Sequence, residues 1–165
     1  LSGLKPAFSA TGTVTAGTSS PLTDGAAATL VCSAEYAREH NLTPLAVIKS
    51  MAINGCDPDV MGLGPIGATR KALKRAGLEM GDIDIVEINE AFASQSMACI
   101  NDLGMDISRV NLDGGAIALG HPLGATGARI TGKAAALLKR EGKKYALSTQ
   151  CIGGGQGITT IMEAA

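Results

Sequence analysis

Tyr145-Ala146-Leu147-Ser148-Thr149-Gln150-Cys151-Ile152-Gly153-Gly154-Gly155-Gln156-Gly157-Ile158-Thr159-Thr160-Ile161-Met162 contains two strand-like runs separated by a glycine-rich turn. Residues 145–150 and 158–162 each have strand length, while the segment from Cys151 to Gly157 is too rich in glycine to continue either. Two strands joined by so short a turn pair antiparallel. Immediately upstream, residues 126–140 place Ile130, Ala134, Leu137 and Leu138 at helical spacing. That run ends on basic Lys139 and Arg140 and stops at Gly142, the usual close of a helix. A helix delivered into a strand pair predicts an α/β fold with a mixed sheet.

Outward from this stretch, further elements alternate. Val47, Ile48, Met51 and Ile53 predict a strand over 46–53, broken by Asn54-Gly55-Cys56-Asp57-Pro58. A Gly/Pro loop at 62–67 leads to a predicted helix over 68–76, stopped by Gly77. The alternation Ile-Asp-Ile-Val-Glu-Ile predicts a strand over 83–88, and residues 90–103 read as a helix ending at Gly104. A short strand is expected at 110–112, before a glycine-rich loop at 114–127. Residues 1–22, polar and rich in Gly, Thr and Ser, read as extended or loop. Residues 26–40 read as a strand running into a helix that ends near His40-Asn41.

With 165 residues, a net charge of -1 and 45% hydrophobic residues, the chain suits one globular domain with a sizeable core. Aromatic residues are scarce and glycines number 22, so close packing through Gly and Ala is expected between helices and sheet. A near-neutral balance argues against a nucleic-acid partner. The 4 Cys and 2 His form no C-x-x-C pair and no zinc spacing, so no metal is expected and the thiols read as reduced, in a reducing compartment. The same reasoning argues against glycosylation at the sequon Asn41-Leu42-Thr43. No apolar run approaches the ~20 residues of a membrane span. A Leu start points to a fragment, a processed chain or a tag remnant.

Three strand–turn junctions carry candidate chemistry, since α/β folds place sites on loops held by a rigid sheet. In Asn89-Glu90-Ala91-Phe92-Ala93, Asn89 ends a strand, and its plain alternative is a helix N-cap. In the segment from Gly114 to Gly124, His121 stands between Gly120 and Pro122, ahead of a helix whose N-terminus disfavours a positive imidazole. A neutral imidazole serves as base or hydrogen-bond donor; the alternative is a structural histidine. Cys151 ends a strand and is followed by glycines whose amides can converge on an oxyanion; the alternative is a buried apolar thiol. Cys32, Cys56 and Cys99 have no reactive context. Gly127 to Lys133 mimics a phosphate loop, but Ala134 stands where Ser or Thr must bind magnesium, and the stretch lies inside a helical pattern.

Together these segments resemble the thiolase superfamily. Asn89-Glu90-Ala91-Phe92-Ala93 resembles its N-E-A-F block, Gly114 to Pro122 its G-G-x-I-A-x-G-H-P block, and Cys151 to Gly157 its C-x-G-x-G-x-G block. Residues 15–27 resemble the upstream T-A-G-x-S-x-x-x-D-G-A segment, and order and spacing agree. The resemblance covers essentially the whole chain. It implies a layered α/β fold with a five-stranded mixed sheet and helices on both faces. Residues 1–44 correspond to the end of a loop region plus a returning piece of the N-terminal half, and 45–165 to the C-terminal domain.

The resemblance also implies roles. His121 activates a nucleophilic cysteine and lines a first oxyanion hole, and Asn89 holds the water that completes it. Cys151 moves the proton at the α-carbon, and the amide of Gly153 helps form a second oxyanion hole. Ser20 and Phe92 lie near the pantetheine arm of coenzyme A. The wording Ser19-Ser20-Pro21-Leu22-Thr23 and Gln156 resemble the degradative 3-ketoacyl-CoA thiolases of fatty-acid β-oxidation more than the biosynthetic ones. The implied reaction is acyl transfer to coenzyme A with cleavage of a 3-ketoacyl-CoA, or the reverse condensation. A coenzyme A thioester is the substrate, and no cofactor is bound covalently.

The chain has no match for the family's nucleophilic cysteine. It is therefore expected to be inactive alone, with the N-terminal thiolase half as partner, a homo-oligomer as the intact enzyme, and a cytoplasmic location (or, in a eukaryote, a mitochondrial or peroxisomal matrix). The rival expectation is a non-catalytic module binding acyl chains or protein. An activated Cys151 alkylating faster than Cys32, Cys56 or Cys99 would separate the two.

Overall fold

A computed structural model describes all 165 residues. The elements in chain order are α1 (Ala34–Glu39), β1 (Ala46–Gly55), α2 (Gly64–Ala76), β2 (Ile85–Ile88), α3 (Ala93–Leu103), α4 (Ala116–Leu119), α5 (Thr126–Glu141), β3 (Tyr145–Ile152) and β4 (Gln156–Ala164). The sheet has the order β1-β4-β3-β2; β2 and β3 run parallel, and β4 is antiparallel to both neighbours. The turn after Cys151 thus closes a hairpin, and Cys151 pairs with Gly157.

The sheet has four strands, where five were expected. Residues 110–112 contribute one bridge, Val86 to Val110. Pairing stops there because Asn111 turns left-handed, with φ 47°, and Gly114 follows at φ 92°. The Asn111 side chain takes over from the missing strand: Ile88 N–H donates to its Oδ1 (2.9 Å), and its Nδ2 donates to Ile88 O (3.0 Å).

Two apolar clusters flank the sheet. One packs Val86, Ile88, Leu147 and Ile161 against Ala72 and Leu73 of α2 and Cys99 and Ile100 of α3. The other packs Ile85, Ala146 and Met162 against Ala134, Leu137 and Leu138 of α5. Every residue of β2 is buried, so the alternation read in 83–88 has no solvated face. Helices α2, α3 and α5 close on Gly77, Gly104 and Gly142, all left-handed, where glycine carries no Cβ penalty.

Three further expectations fail locally. Helix α2 begins at Gly64, inside the stretch read as a Gly/Pro loop at 62–67, because Pro65 sits in its first turn, where a missing N–H costs no helical bond. No strand forms over 26–33; that segment is irregular and exposed, and no backbone of the chain pairs with it. Helix α3 begins at Ala93 rather than Glu90, because Phe92 is extended (φ -142°, ψ 145°) and bridges Ser19. Among residues 1–45 only Thr15 and Ala37 are buried. No helix is long and apolar enough to cross a membrane.

Candidate active site

Asn89 extends the parallel pairing of β2 by one residue, its N–H donating to Thr149 O at 3.0 Å. It lies outside helix α3, whose N-cap is Phe92, so it does not cap that helix. Its side chain is 1% exposed, and Nδ2 stands 3.4 Å from His121 Nε2. Its Oδ1 is buried with no hydrogen-bond partner.

His121 is held from three directions. Its N–H donates to Thr23 Oγ1 at 3.1 Å, and its backbone forms a parallel bridge with Leu22. Its Nδ1 lies 2.7 Å from Oγ1 of Thr126, the first residue of α5. That hydroxyl also donates to Pro122 O at 3.0 Å. A hydroxyl has one proton; with it on Pro122 O, the ring donates from Nδ1 and leaves the Nε2 lone pair toward Asn89. Burial, then the nearby Arg129 guanidinium, holds the His121 pKa below its ordinary value and favours the neutral ring. The sequence alone does not point to Thr23, Thr126 or Arg129, because the first comes from a distant segment and the other two gain their meaning only from the way α5 is set beside the imidazole.

Cys151 and Gly153 sit at the carboxyl end of β3, beside the end of β2 that carries Asn89. Cys151 is half-buried, and no hydrogen bond joins it to His121 or Asn89. Burial pushes its thiol pKa up, with the neighbouring Cys56 adding in the same direction. The thiol is therefore protonated at neutral pH, which suits a proton donor and not a thiolate nucleophile. This reverses the expected alkylation order: exposed Cys32 should react with iodoacetamide before Cys151 at pH 7.5, as mass mapping of the modified cysteines would show. Modification of Cys151 first would contradict the protonated thiol. Cys99, fully buried, is pushed up to about 11.

The glycine run has two functions. A Cβ at Gly155 would meet Cys56 O, and one at Gly157 would meet the backbone of Gly64 and Pro65, so the first lets the turn close on the segment after β1 and the second lets β4 start against α2. Gly153 is exposed, and a Cβ there would meet nothing.

Ser20 and Phe92 come together just after Asn89 in the chain. Ser20 N–H donates to Ala91 O at 3.0 Å, and Ser19 bridges Phe92. The Phe92 ring meets Phe8 edge-on, centroids 5.9 Å apart. The structure thus brings His121 and Asn89 into contact and sets Cys151 and Gly153 on the adjacent strand end. Residues 19–29 run along one side of this group and reach α5 through Thr29 Oγ1, which donates to Ala128 O at 3.3 Å.

Residues 42–164 match the family model for the thiolase C-terminal domain, and residues 1–35 match that for the thiolase N-terminal domain. The chain is 58% identical over 167 residues to a 3-ketoacyl-CoA thiolase of Vibrio vulnificus (strain YJ016), covering 99% of this chain and 43% of that relative. Among solved structures, human mitochondrial 3-ketoacyl-CoA thiolase in complex with CoA superposes with a TM-score of 0.91 at 46% identity. The acetyl-CoA acetyltransferase of Bacillus anthracis does so with a TM-score of 0.96 at 45% identity. Each comparison covers 99% of this chain and 42% of the solved one.

Proposed function

The chain belongs to the thiolase family, and from that premise we propose that residues 1–165 are the C-terminal portion of an acyl-CoA C-acyltransferase that cleaves 3-ketoacyl-CoA. The observation that carries this reading is the contact of neutral His121 with buried Asn89, next to a strand end bearing a protonated Cys151. Thiolysis needs an acyl-carrying thiolate, a proton donor for the α-carbon and donors for two oxyanions. In this reading Nε2 of His121 takes the proton of a cysteine thiol supplied from outside these residues. That thiolate attacks the C3 carbonyl, and the C2–C3 bond breaks to give an acyl-cysteine and the enolate of acetyl-CoA. The Cys151 thiol protonates the enolate carbon. Protonated Nε2, with water on Asn89, stabilises one oxyanion, and the Gly153 amide the other. Coenzyme A then gives its thiol proton to the Cys151 thiolate and attacks the acyl-cysteine, so that the shortened acyl-CoA forms and the nucleophilic cysteine leaves and takes its proton back from His121. Ser20 and Phe92 face the pantetheine arm.

The division at residues 44 and 45 belongs to the same proposal. Leu22, Leu30 and Val31 are 99%, 73% and 68% exposed, an unusual fate for large apolar side chains in a folded segment. Residues 1–44 would be covered by the rest of the N-terminal half, which supplies the nucleophile, and the intact enzyme would be a homo-oligomer working in the cytoplasm or an organelle matrix. The test is thiolysis of acetoacetyl-CoA by the full-length protein that carries these residues. Turnover is expected; a folded protein that binds acyl-CoA without cleaving it would replace this reading with the non-catalytic module.

A further inference from the structure

Asn89 and His121 lie on separate loops, and their side chains meet across the gap between them. A second tie spans the same gap. Glu90, the residue after Asn89, extends its carboxylate to the loop that ends at His121. Its Oε2 accepts from the N–H of Ile117, in helix α4, at 3.1 Å, and its Oε1 accepts from Asn111 Nδ2 at 2.7 Å. Helix α4 ends at Gly120, next to His121, so the carboxylate grips the short turn that presents the imidazole.

The orientation of the Asn111 amide is fixed without ambiguity. Its Oδ1 must accept, because its partner there is the N–H of Ile88, so its other end carries the NH2 that faces Ile88 O and Glu90. Both partners of Glu90 are therefore donors. A glutamate offers an oxygen to each donor, whereas a glutamine would turn an NH2 against one of them. The space is equally specific, since a Cβ at Gly115 would fall on the Glu90 carboxyl group. On the opposite side, Thr23 crowds Gly120, with its Oγ1 2.7 Å from the position a Cβ would take there, and receives the His121 N–H. The loop is thus clamped from both sides, once by Thr23 and once by Glu90 on Asn111.

We propose that Glu90 and Asn111 are positioning residues of this site: the Glu90 carboxylate, steadied by Asn111, holds the His121 loop against the end of β2 and sets the Asn89–His121 separation. The inference rests on the thiolase reading and adds to it two groups that do not touch the reacting atoms. They act through His121, where misplacement by about 1 Å costs about 10²-fold in rate.

The test uses the full-length protein and acetoacetyl-CoA thiolysis. Glu90→Gln and Glu90→Ala should each lower kcat by about 10–10²-fold with KM within about two-fold. Gly115→Ala should do the same by displacing the carboxylate. In the Glu90→Ala background, Gly115→Ala should have little further effect, because the space its methyl needs has been vacated. In the His121→Ala background, Glu90→Ala should leave the residual rate unchanged, which a merely structural residue would not do. The proposal is overturned if Glu90→Gln retains wild-type kcat, or if Glu90→Ala lowers the rate by the same factor with and without His121. Wild-type turnover in His121→Ala would instead overturn the reading of the site itself.

Discussion

His121→Ala in the full-length protein should lower kcat for acetoacetyl-CoA thiolysis by about 10²–10⁴-fold, the range lost with a positioned general base. The size follows from the contacts. The Nδ1 side of the ring is engaged with Thr126 at 2.7 Å, and Nε2 faces the gap beside Asn89, so no other imidazole can substitute. The only other histidine of the chain, His40, caps helix α1 on an exposed segment. Because the folded site holds the His121 pKa down, the neutral base persists to lower pH than an ordinary histidine would allow. The acidic limb of the kcat/KM profile should therefore fall below the ordinary value of 6.5. Steady-state rates of the unsubstituted protein across pH check the second point and comparison with the variant the first; a loss smaller than about ten-fold would remove His121 from the base role.

A second large effect concerns Glu87. Its side chain is 1% exposed on the α5 side of β2, and Oε1 has no partner. Burial pushes its pKa up from 4.5 to about 7, against the pull of Lys133 and Arg129 and with a smaller push from Asp113 and Glu90. Between those values the unfolded chain has lost the proton and the folded chain keeps it, so rising pH favours unfolding across that window. Above about pH 7 both forms are ionised and the loss is complete. At 1.36 kcal/mol per pH unit, the group costs about 3 kcal/mol at pH 8 that it does not cost at pH 4. Glu87→Gln should remove this term. Urea unfolding of both forms at pH 5 and pH 8 reads it: the variant's advantage should be larger at pH 8. An equal difference at both pH values would contradict a carboxyl held protonated by burial.

The legibility of the sequence differed by element. Helices α2, α3 and α5 were readable at their ends because Gly77, Gly104 and Gly142 mark left-handed stops that only the local chain decides. The β3–β4 hairpin was readable for the same reason. The strand expected at 110–112 failed because a single left-handed residue, Asn111, ended the pairing, and an asparagine side chain then stood in for backbone. The alternation in 83–88 concealed the environment of Glu87: a strand covered on both faces buries its polar residue too, and no local pattern shows the second layer.

In the site, Asn89 was recognisable from its place at a strand end, and His121 and Cys151 from the glycine-rich turns around them. The partners that fix them were not. Thr23, Asn111 and Thr126 are common turn and helix-start residues, and their meaning arises only when 98, 21 and 5 residues of chain are closed onto His121 and Glu90. The direction of the Cys151 shift likewise comes from tertiary burial, which predicts a slower thiol than the sequence suggested.

On the proposed function, these residues hold the acid–base part of a thiolase site and none of its acyl-carrying chemistry. Thiolysis of acetoacetyl-CoA by the 165-residue polypeptide alone, measured beside the full-length protein, tests it most directly. The polypeptide alone is predicted to give no turnover above background, while the full-length protein turns over. Turnover well above background by the polypeptide alone would place a working nucleophile within these residues and contradict the account.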